Sequence, residues 1–427
     1  MIDLIKRYYT IITSVIRRNY LTVKNRFLWN FNNSNKTTNE YINWLCDSHF
    51  DFRQDFVPIS ESSVAKNSFN IKPIAFYLPQ FYETELNNKY FGKGFMEWYT
   101  VTKTFPHYTG HYQPHLPIDT GFYKLDYTDT MYRQLELAKK YGIYGFCFYY
   151  YWYRDETLLE KPIKNFLETK NLDMPFCFMW VNGDWNKTWG IEGKHEKEVI
   201  KKMELLDGDD EKFFQDILPY FQDSRYIKVD NKPVLAIIKP HHFSEEQTIS
   251  FMKHLDKRAK EYGFNGIRFM TTNTGFYCND AEKLGFDGVI EFEMPKSTMT
   301  AYQKDMSNLY VDPHYKGIVY DIKKALANNK HLENLPYKAF KCCAPGWDNT
   351  PRKAYSGCVV FDMGPDDYKK WFSDAIRWTI ENHKQEERFV FINAWNEWAE
   401  GAHLEPDQHY GYAYLQATKE AIEESCK

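Results

Sequence analysis

The chain has 427 residues and a formal net charge of -4, and it carries no basic block tied to a nucleic-acid motif, which argues against a nucleic-acid partner. That length suits one α/β domain of about 250 to 350 residues with an extension and leaves little for a second compact domain. Aromatic residues make up 18% of the chain, with 12 Trp and 33 Tyr, more than a core of this size needs and a bias common where sugars bind.

Residues 1–70 read as a basic helical extension and linker, and residues 71–427 as the main domain. The first thirty residues carry Lys6, Arg7, Arg17, Arg18, Lys24 and Arg26 against Asp3, interleaved with apolar residues at helical spacing. Such a segment, over residues 1–31, either lies on an anionic membrane surface or packs on the main domain. The polar run Asn32 to Asn39 follows as a linker or loop. The start lacks the apolar stretch and small-residue cleavage site of a signal peptide, and no window reaches about 18 apolar residues. The expected location is cytoplasmic, with membrane association as the variant that the basic segment raises.

The cysteines at 46, 147, 177, 278, 342, 343, 358 and 426 show no CxxC spacing and no partner histidine cluster. Neither a zinc site nor a disulfide framework is expected from them, and no metal or cofactor is expected. A reducing compartment accounts for them most simply.

From residue 71 strand-like and helix-like segments alternate. The strand candidates are Pro73 to Leu78, Ile143 to Tyr150, Pro175 to Val181, Val234 to Ile238, Ile267 to Thr272, Gly288 to Phe292, Ala339 to Ala344 and Phe389 to Ala394. Helical period appears over Thr128 to Tyr141, Phe213 to Phe221, Thr248 to Tyr262, Ile322 to Ala327 and Tyr368 to His383. Near-continuous apolar strands imply burial on both faces, hence a parallel sheet covered by helices. Eight of them in alternation predict an α/β fold of the (β/α)8 TIM-barrel type with an N-terminal helical extension. An open doubly wound sheet is the alternative, but the first strand runs into Leu78-Pro79-Gln80-Phe81 with no GxGxxG loop.

A barrel brings all eight carboxyl ends to one face, so residues distant in sequence converge there. The substrate-binding candidates are Tyr77, Gln80 and Trp98 at and after the first strand, and Tyr149, Tyr151 and Trp152 on the second. Trp180, Asn182 and Trp185 follow the third, Glu291 the sixth, Trp347, Asp348, Asn349 and Arg352 the seventh, and Trp395, Asn396 and Trp398 the eighth. Each also has a plain structural account: Glu291 as an ion-pair partner at the barrel mouth, Asp348 as a turn former, the rings as core.

The last strand leads to Trp395-Asn396-Glu397-Trp398-Ala399-Glu400-Gly401, two carboxylates three residues apart among aromatic residues. Chemistry at a sugar acetal needs such a pair, one group to protonate the departing oxygen and one to take a proton or shield positive charge. On a regular strand residues three apart face opposite ways, so the chain must leave the strand near Glu397 for both to share a site; Gly401 permits the turn. Close carboxylates in an aromatic pocket should split their titrations and so supply an acid and a base without a metal.

Four stretches taken together resemble the WbsX family, also called glycoside hydrolase family 99-like. They are Ala75 to Phe81, Trp180 to Asn182, Pro345 to Arg352 and Asn393 to Gly401, with Leu404-Glu405-Pro406-Asp407 and Tyr410-Gly411-Tyr412 after them. The resemblance spans roughly residues 71 to 420 and implies a (β/α)8 barrel working in bacterial surface polysaccharide assembly, such as lipopolysaccharide O-antigen. Members are often labelled glycosyltransferases, whereas the related family 99 enzymes are retaining hydrolases of α-mannosides. Carried over by position, the resemblance makes Glu397 the base on a substrate 2-hydroxyl and Glu400 the acid/base. Ala399 departs from the pattern, since those relatives often have His there.

The expected activity is therefore that of a glycan-active enzyme cleaving or transferring a glycosyl unit by a two-carboxylate retaining mechanism, with an oligosaccharide or polysaccharide substrate. The alternatives are a sugar-nucleotide-dependent glycosyltransferase and a non-catalytic carbohydrate-binding barrel. The first would need a diphosphate site, and no DxD with a metal-suited cluster is present; Asp209-Asp210 reads as a loop and helix start.

Overall fold

The computed structural model describes residues 35–50, 55–64, 70–187, 198–274, 280–292, 302–333 and 335–425. The basic segment over residues 1–31 lies outside the described residues.

Eight parallel strands form a closed ring. They are β1 (Lys72–Tyr77), β2 (Gly145–Trp152), β3 (Phe176–Trp180), β4 (Lys232–Ile237), β5 (Arg268–Thr272), β6 (Gly288–Ile290), β7 (Ala339–Phe340, resuming as Cys342–Cys343) and β8 (Phe389–Ile392). Each pairs with its sequence neighbour, as in Ala75 with Phe146, Phe178 with Leu235 and Val289 with Ala339. The second half of β7 pairs with β8 through Cys342 and Phe391, and Lys72 opposite Phe389 closes the barrel. At least one helix follows each strand, the last α-helix in each case being α1 (Asp129–Lys140), α2 (Lys161–Glu168), α3 (Asp209–Phe221), α4 (Glu245–Glu261), α5 (Ala281–Leu284), α6 (Ile322–Ala327), α7 (Pro365–Asn382) and α8 (Ala413–Glu424). All eight expected strands are present, and Asp209 does start a helix.

The strands lack a polar face because both faces are buried; every residue of β2, GFCFYYYW, is buried. Alternate side chains go to different layers. Phe76 packs against Tyr149, Phe292 and Phe391, with centroids 5.1 to 5.8 Å away. Its neighbour Tyr77 points to the helical layer, where its hydroxyl donates to Gln134 of α1 at 2.6 Å. Between β2, β3 and the helices, Phe213 of α3 touches Trp152, Trp180 and Phe251, all buried. Truncating such a ring to Ala costs about 3 to 5 kcal/mol, so this cluster fixes α3 and α4 to the wall. Helix α4 starts at a capping box: Ser244 accepts from the Gln247 N–H, and the Ser244 N–H donates back to the Gln247 side chain.

The chain before β1 is fastened to the barrel. Val57 exchanges main-chain hydrogen bonds with Tyr410 and Tyr412, and the Val64 N–H donates to the Lys140 carbonyl. The buried Lys419 ammonium of α8 reaches Ser60 Oγ and the Ser62 carbonyl, both at 3.0 Å. Farther back, Tyr41 of the helix Asn35–Phe50 stacks on Tyr310 at 4.3 Å and donates to the Pro106 carbonyl.

No helix among the described residues is long and apolar enough to cross a membrane. Cys147, Cys177, Cys342, Cys343 and Cys358 are free and buried, and Cys46 is free and exposed.

Candidate functional site

The segment after β8 forms a short hairpin, Asn396–Glu397 against Ala402–His403, closed by a tight turn over Trp398–Glu400. Gly401 ends that turn at φ 60, a left-handed conformation that suits glycine. A Cβ added there would lie 2.9 Å from the Asp348 Cβ and 3.0 Å from its main-chain nitrogen. The turn breaks the strand alternation, and so the two carboxylates meet one partner.

That partner is Arg352, on the short helix Thr350–Lys353 after β7. Its Nη1 donates to Glu400 Oε1 at 2.6 Å and its Nη2 to Glu397 Oε2 at 2.8 Å. Nη2 and Nε also donate to Oε1 of Glu97, at 2.8 and 3.1 Å. Glu97 opens the helix Glu97–Thr102 in the loop after β1 and is buried. Three carboxyl groups from the β1 and β8 loops thus share a guanidinium from the β7 loop. Burial lowers the Arg352 pKa, but Glu400, Glu97 and Glu397 together outweigh it and hold the group charged. Burial is also the main influence on Glu397. Arg352 pulls its pKa down, Glu400 and Glu97 push it up, and the balance stands at about 8. Burial thus favours the protonated form of Glu397 in the free protein.

The mouth around this cluster is built from β2 and the flanking loops. Tyr149 and Tyr151 project on the same side of β2, and burial raises both phenols with Glu397 as the next contributor. Tyr149 donates to Asn393 Oδ1 at 3.3 Å, and the Trp185 ring meets Tyr151 edge to face at 5.3 Å. Asp348 takes hydrogen bonds from Gln113 and His111, both at 2.6 Å, and from the Thr350 N–H. Burial opposes its ionisation, but His111 and these donors keep its pKa below the usual range. Trp347 is half-buried with its ring centroid 6.4 Å from Phe361. Gln80 is fully buried, and its amide oxygen and nitrogen have no hydrogen-bond partner among the described residues.

Other expected binding residues are placed elsewhere or already engaged. Trp152 and Trp180 belong to the outer layer because they alternate with Tyr151 and Met179; the Trp152 Nε1 donates to Asp216 of α3 and the Trp180 Nε1 to the Trp152 carbonyl. The expectation that they line a sugar site is corrected on that ground, and so is that for Tyr77, which faces α1. Trp395 is fully buried 5.3 Å from Phe146. Trp98 packs among Phe81, Tyr123 and Trp398 and donates to the Tyr123 carbonyl. Trp398 stacks on His403 and donates to Glu405. These three rings form the wall behind the carboxylates rather than an open surface.

The asparagines brace the strand ends. Asn182 bonds the Lys239 N–H and carbonyl, Asn396 bonds those of Leu78, and Asn349 accepts from the Val359 N–H. Glu291 pairs with Lys341 at 2.8 Å; burial raises its pKa against the pull of that lysine.

Two buried acids escaped the sequence reading of the site. Glu97, next to the candidate Trp98 in sequence, joins the site only through Arg352. Glu405 accepts from Tyr123, Gln134 and the Trp398 indole, and burial lifts it to about 7 despite those donors.

A search of curated proteins finds a protein of Xanthomonas campestris pv. campestris (strain B100), named "Uncharacterized protein WxcX", 36% identical over 353 residues. The match covers 82% of this chain and 49% of that protein, so the chain spans about half the length of the curated relatives it matches. Among solved structures, one titled "Glycoside hydrolase-like protein" superposes with a TM-score of 0.51 at 16% identity, over 87% of this chain and 98% of its own. The GH99 endo-alpha-mannosidase of Bacteroides thetaiotaomicron, in complex with bis-tris propane, gives a TM-score of 0.51 at 14% identity, covering 83% and 97%. At such identities the likeness establishes the fold, the barrel described above. Residues 73–418 match the family described as "Glycosyltransferase WbsX", and the chain belongs to that family.

Proposed function

We propose that this protein is a glycan-active enzyme that cleaves or transfers a glycosyl unit of a bacterial surface polysaccharide through Glu397 and Glu400. The observation that carries the reading is the joint hold of Arg352 on these two carboxylates, which keeps them at one place at the barrel mouth. Glu397, once deprotonated, takes the proton of the sugar 2-hydroxyl, whose oxygen forms a bond to the anomeric carbon. The bond to the leaving oxygen breaks, and Glu400 gives that oxygen a proton. In the second half Glu400 takes a proton from water or an acceptor hydroxyl, which attacks the anomeric carbon. The internal C–O bond opens, and the 2-oxygen recovers its proton from Glu397. Configuration is retained, because the anomeric carbon is inverted twice.

The charge balance favours this over a sugar-nucleotide reaction. The Arg352 guanidinium is already shared by Glu97, Glu397 and Glu400, so an entering diphosphate would meet carboxylates. The same carboxylates suit the positive charge that builds on a ring oxygen at an acetal. A panel of polysaccharides with product analysis, run on the wild type and on Glu397→Gln and Glu400→Gln, tests the reading. Loss of several orders of magnitude in both variants supports it. Unchanged turnover in both, or unchanged binding with no turnover in the wild type on any glycan, would leave a carbohydrate-binding barrel.

A further inference from the structure

We propose that His115, His403 and Asp407 form a divalent-cation site, of a kind suited to zinc, that ties the loop after β1 to the hairpin after β8. Their ligand atoms all lie within 4.8 Å of one another. His403 Nε2 is 2.8 Å from His115 Nδ1 and 3.8 Å from Asp407 Oδ2.

The hydrogen bonds around the cluster turn three ligand-capable atoms inward, and the proton that His115 Nδ1 shares with His403 Nε2 would leave on metal binding. His403 Nδ1 sits 2.9 Å from the Glu405 carbonyl, which fixes the proton on that nitrogen and leaves a lone pair on Nε2. The Tyr112 main chain bonds the His115 ring. Asp407 uses Oδ1 for the His409 and Tyr410 N–H groups, and its Oδ2 is the oxygen nearest His403. Among the described residues no Lys or Arg ion pair compensates the buried Asp407 carboxylate, and a dication would.

Two imidazole nitrogens and one carboxylate oxygen suit zinc, with a fourth position for water. A tetrahedral site with Zn–N bonds of about 2.0 to 2.1 Å asks the two nitrogens to separate by roughly half an ångström more than they do here. The rings are already held in orientation, His403 stacked on Trp398 at 3.8 Å and His115 on Tyr112 at 4.2 Å. The cysteine spacing gave no hint of this, because the site joins residues 288 positions apart. Since His403 pairs with Asn396 in the hairpin that carries Glu397, the cation would position that carboxylate without touching substrate.

The test is metal analysis of the full chain, purified without a histidine tag. Zinc at about one per chain, removed by phenanthroline with a fall in Tm and restored by zinc chloride, is expected. Asp407→Asn and His115→Gln should retain at least roughly tenfold less zinc, with circular dichroism reporting their fold. Glu397→Gln should keep its zinc, which separates this site from the proposed reaction. Wild-type protein that carries no zinc and shows no Tm shift with zinc chloride would overturn the proposal even where a variant fails to fold. Stoichiometric zinc unaltered in both ligand variants would overturn it as well.

Discussion

The main-chain N–H of Asp348 donates to the carbonyl oxygen of Glu400 across 2.6 Å, so the loop after β7 is hydrogen-bonded to the turn that carries the second candidate carboxylate. Asp348 is itself held by His111 and Gln113 of the β1 loop. Three loops are thereby fixed to one another before any side chain reaches a substrate. Pre-set geometry of this kind lets a site act without reorganising during reaction.

Gly401→Ala should break that contact. Alanine at φ 60 is strained, and its Cβ would press on Asp348. A loss of about 1 to 3 kcal/mol in stability is expected, with a larger relative loss of activity because the strain sits at Glu400. Chemical denaturation and turnover on the same glycan measure the two; full activity would show that the turn tolerates the extra methyl.

The pH dependence follows from Glu397. If it is the base, the Glu400→Gln variant acting on an activated aryl glycoside, which needs no acid, should show kcat/KM rising with pH to a plateau as the Glu397 carboxyl ionises. Activity of that variant that falls over the same range instead would exchange the roles of Glu397 and Glu400. The stability effect has a definite sign. A carboxyl whose folded pKa is raised from 4.5 to about 8 adds stability that is full below pH 4.5 and is lost as pH rises through about 8. Glu397→Gln stays neutral, so its urea midpoint relative to wild type should improve between pH 5 and 9.

Arg352→Met should be more damaging than either Gln change. It leaves the buried Glu97 and Glu397 and the half-buried Glu400 without their shared cation, a loss of about 3 to 5 kcal/mol by analogy with other broken buried pairs. Lysine cannot reproduce the fork that meets three carboxyl groups, so Arg352→Lys should restore stability in part and activity little. Equal melting temperatures for Arg352→Met and wild type would remove the hub from the account.

The barrel was legible because burial on both faces writes itself as apolar runs, and each of the eight runs became a strand. The candidate pair was legible too, since the chain has to turn near Glu397 and Gly401 lets it. Inward and outward rings were harder to separate. Tyr151 and Trp152 are neighbours of similar character, and strand phase alone sends one to the mouth and the other beneath α3. Glu97 could not be tied to Glu397 by sequence, because their common partner Arg352 lies about 250 residues from the first and 45 from the second.

Removal of residues 1 to 54 should leave a folded barrel, whereas removal of residues 1 to 65 should not be neutral. The longer cut deletes Ser60 and Ser62, which hold the buried Lys419 ammonium, and Val57, which bonds Tyr410 and Tyr412. A buried cation without partners costs several kcal/mol or draws water into α8. Thermal melts of the two truncations decide this: equal values would make residues 55 to 64 a dispensable strap.

The aromatic residues offer a direct test of strand phase. Tyr151 stands near Glu397, Trp185 meets Tyr151 edge to face, and Trp347 precedes Asp348 in the loop bonded to Glu400, while Trp152 and Trp180 lie in the layer between strands and helices. Replacing Trp185 or Trp347 by Ala should weaken glycan binding by about 1 to 3 kcal/mol, the range for a lost stacking face, with a small change in Tm for Trp347 and a larger one for the buried Trp185. Trp347, being half-buried, should give the cleaner result. Replacing Trp152 or Trp180 by Ala should lower stability by about 3 to 5 kcal/mol and leave the affinity of the folded fraction near that of wild type. Calorimetric titration with the active glycan, paired with denaturation of each variant, separates the two classes. Loss of affinity without loss of stability in the Trp152 and Trp180 variants would mean that the sugar reaches the outer layer, which the hydrogen bonds from these indoles to Asp216 and the Trp152 carbonyl argue against.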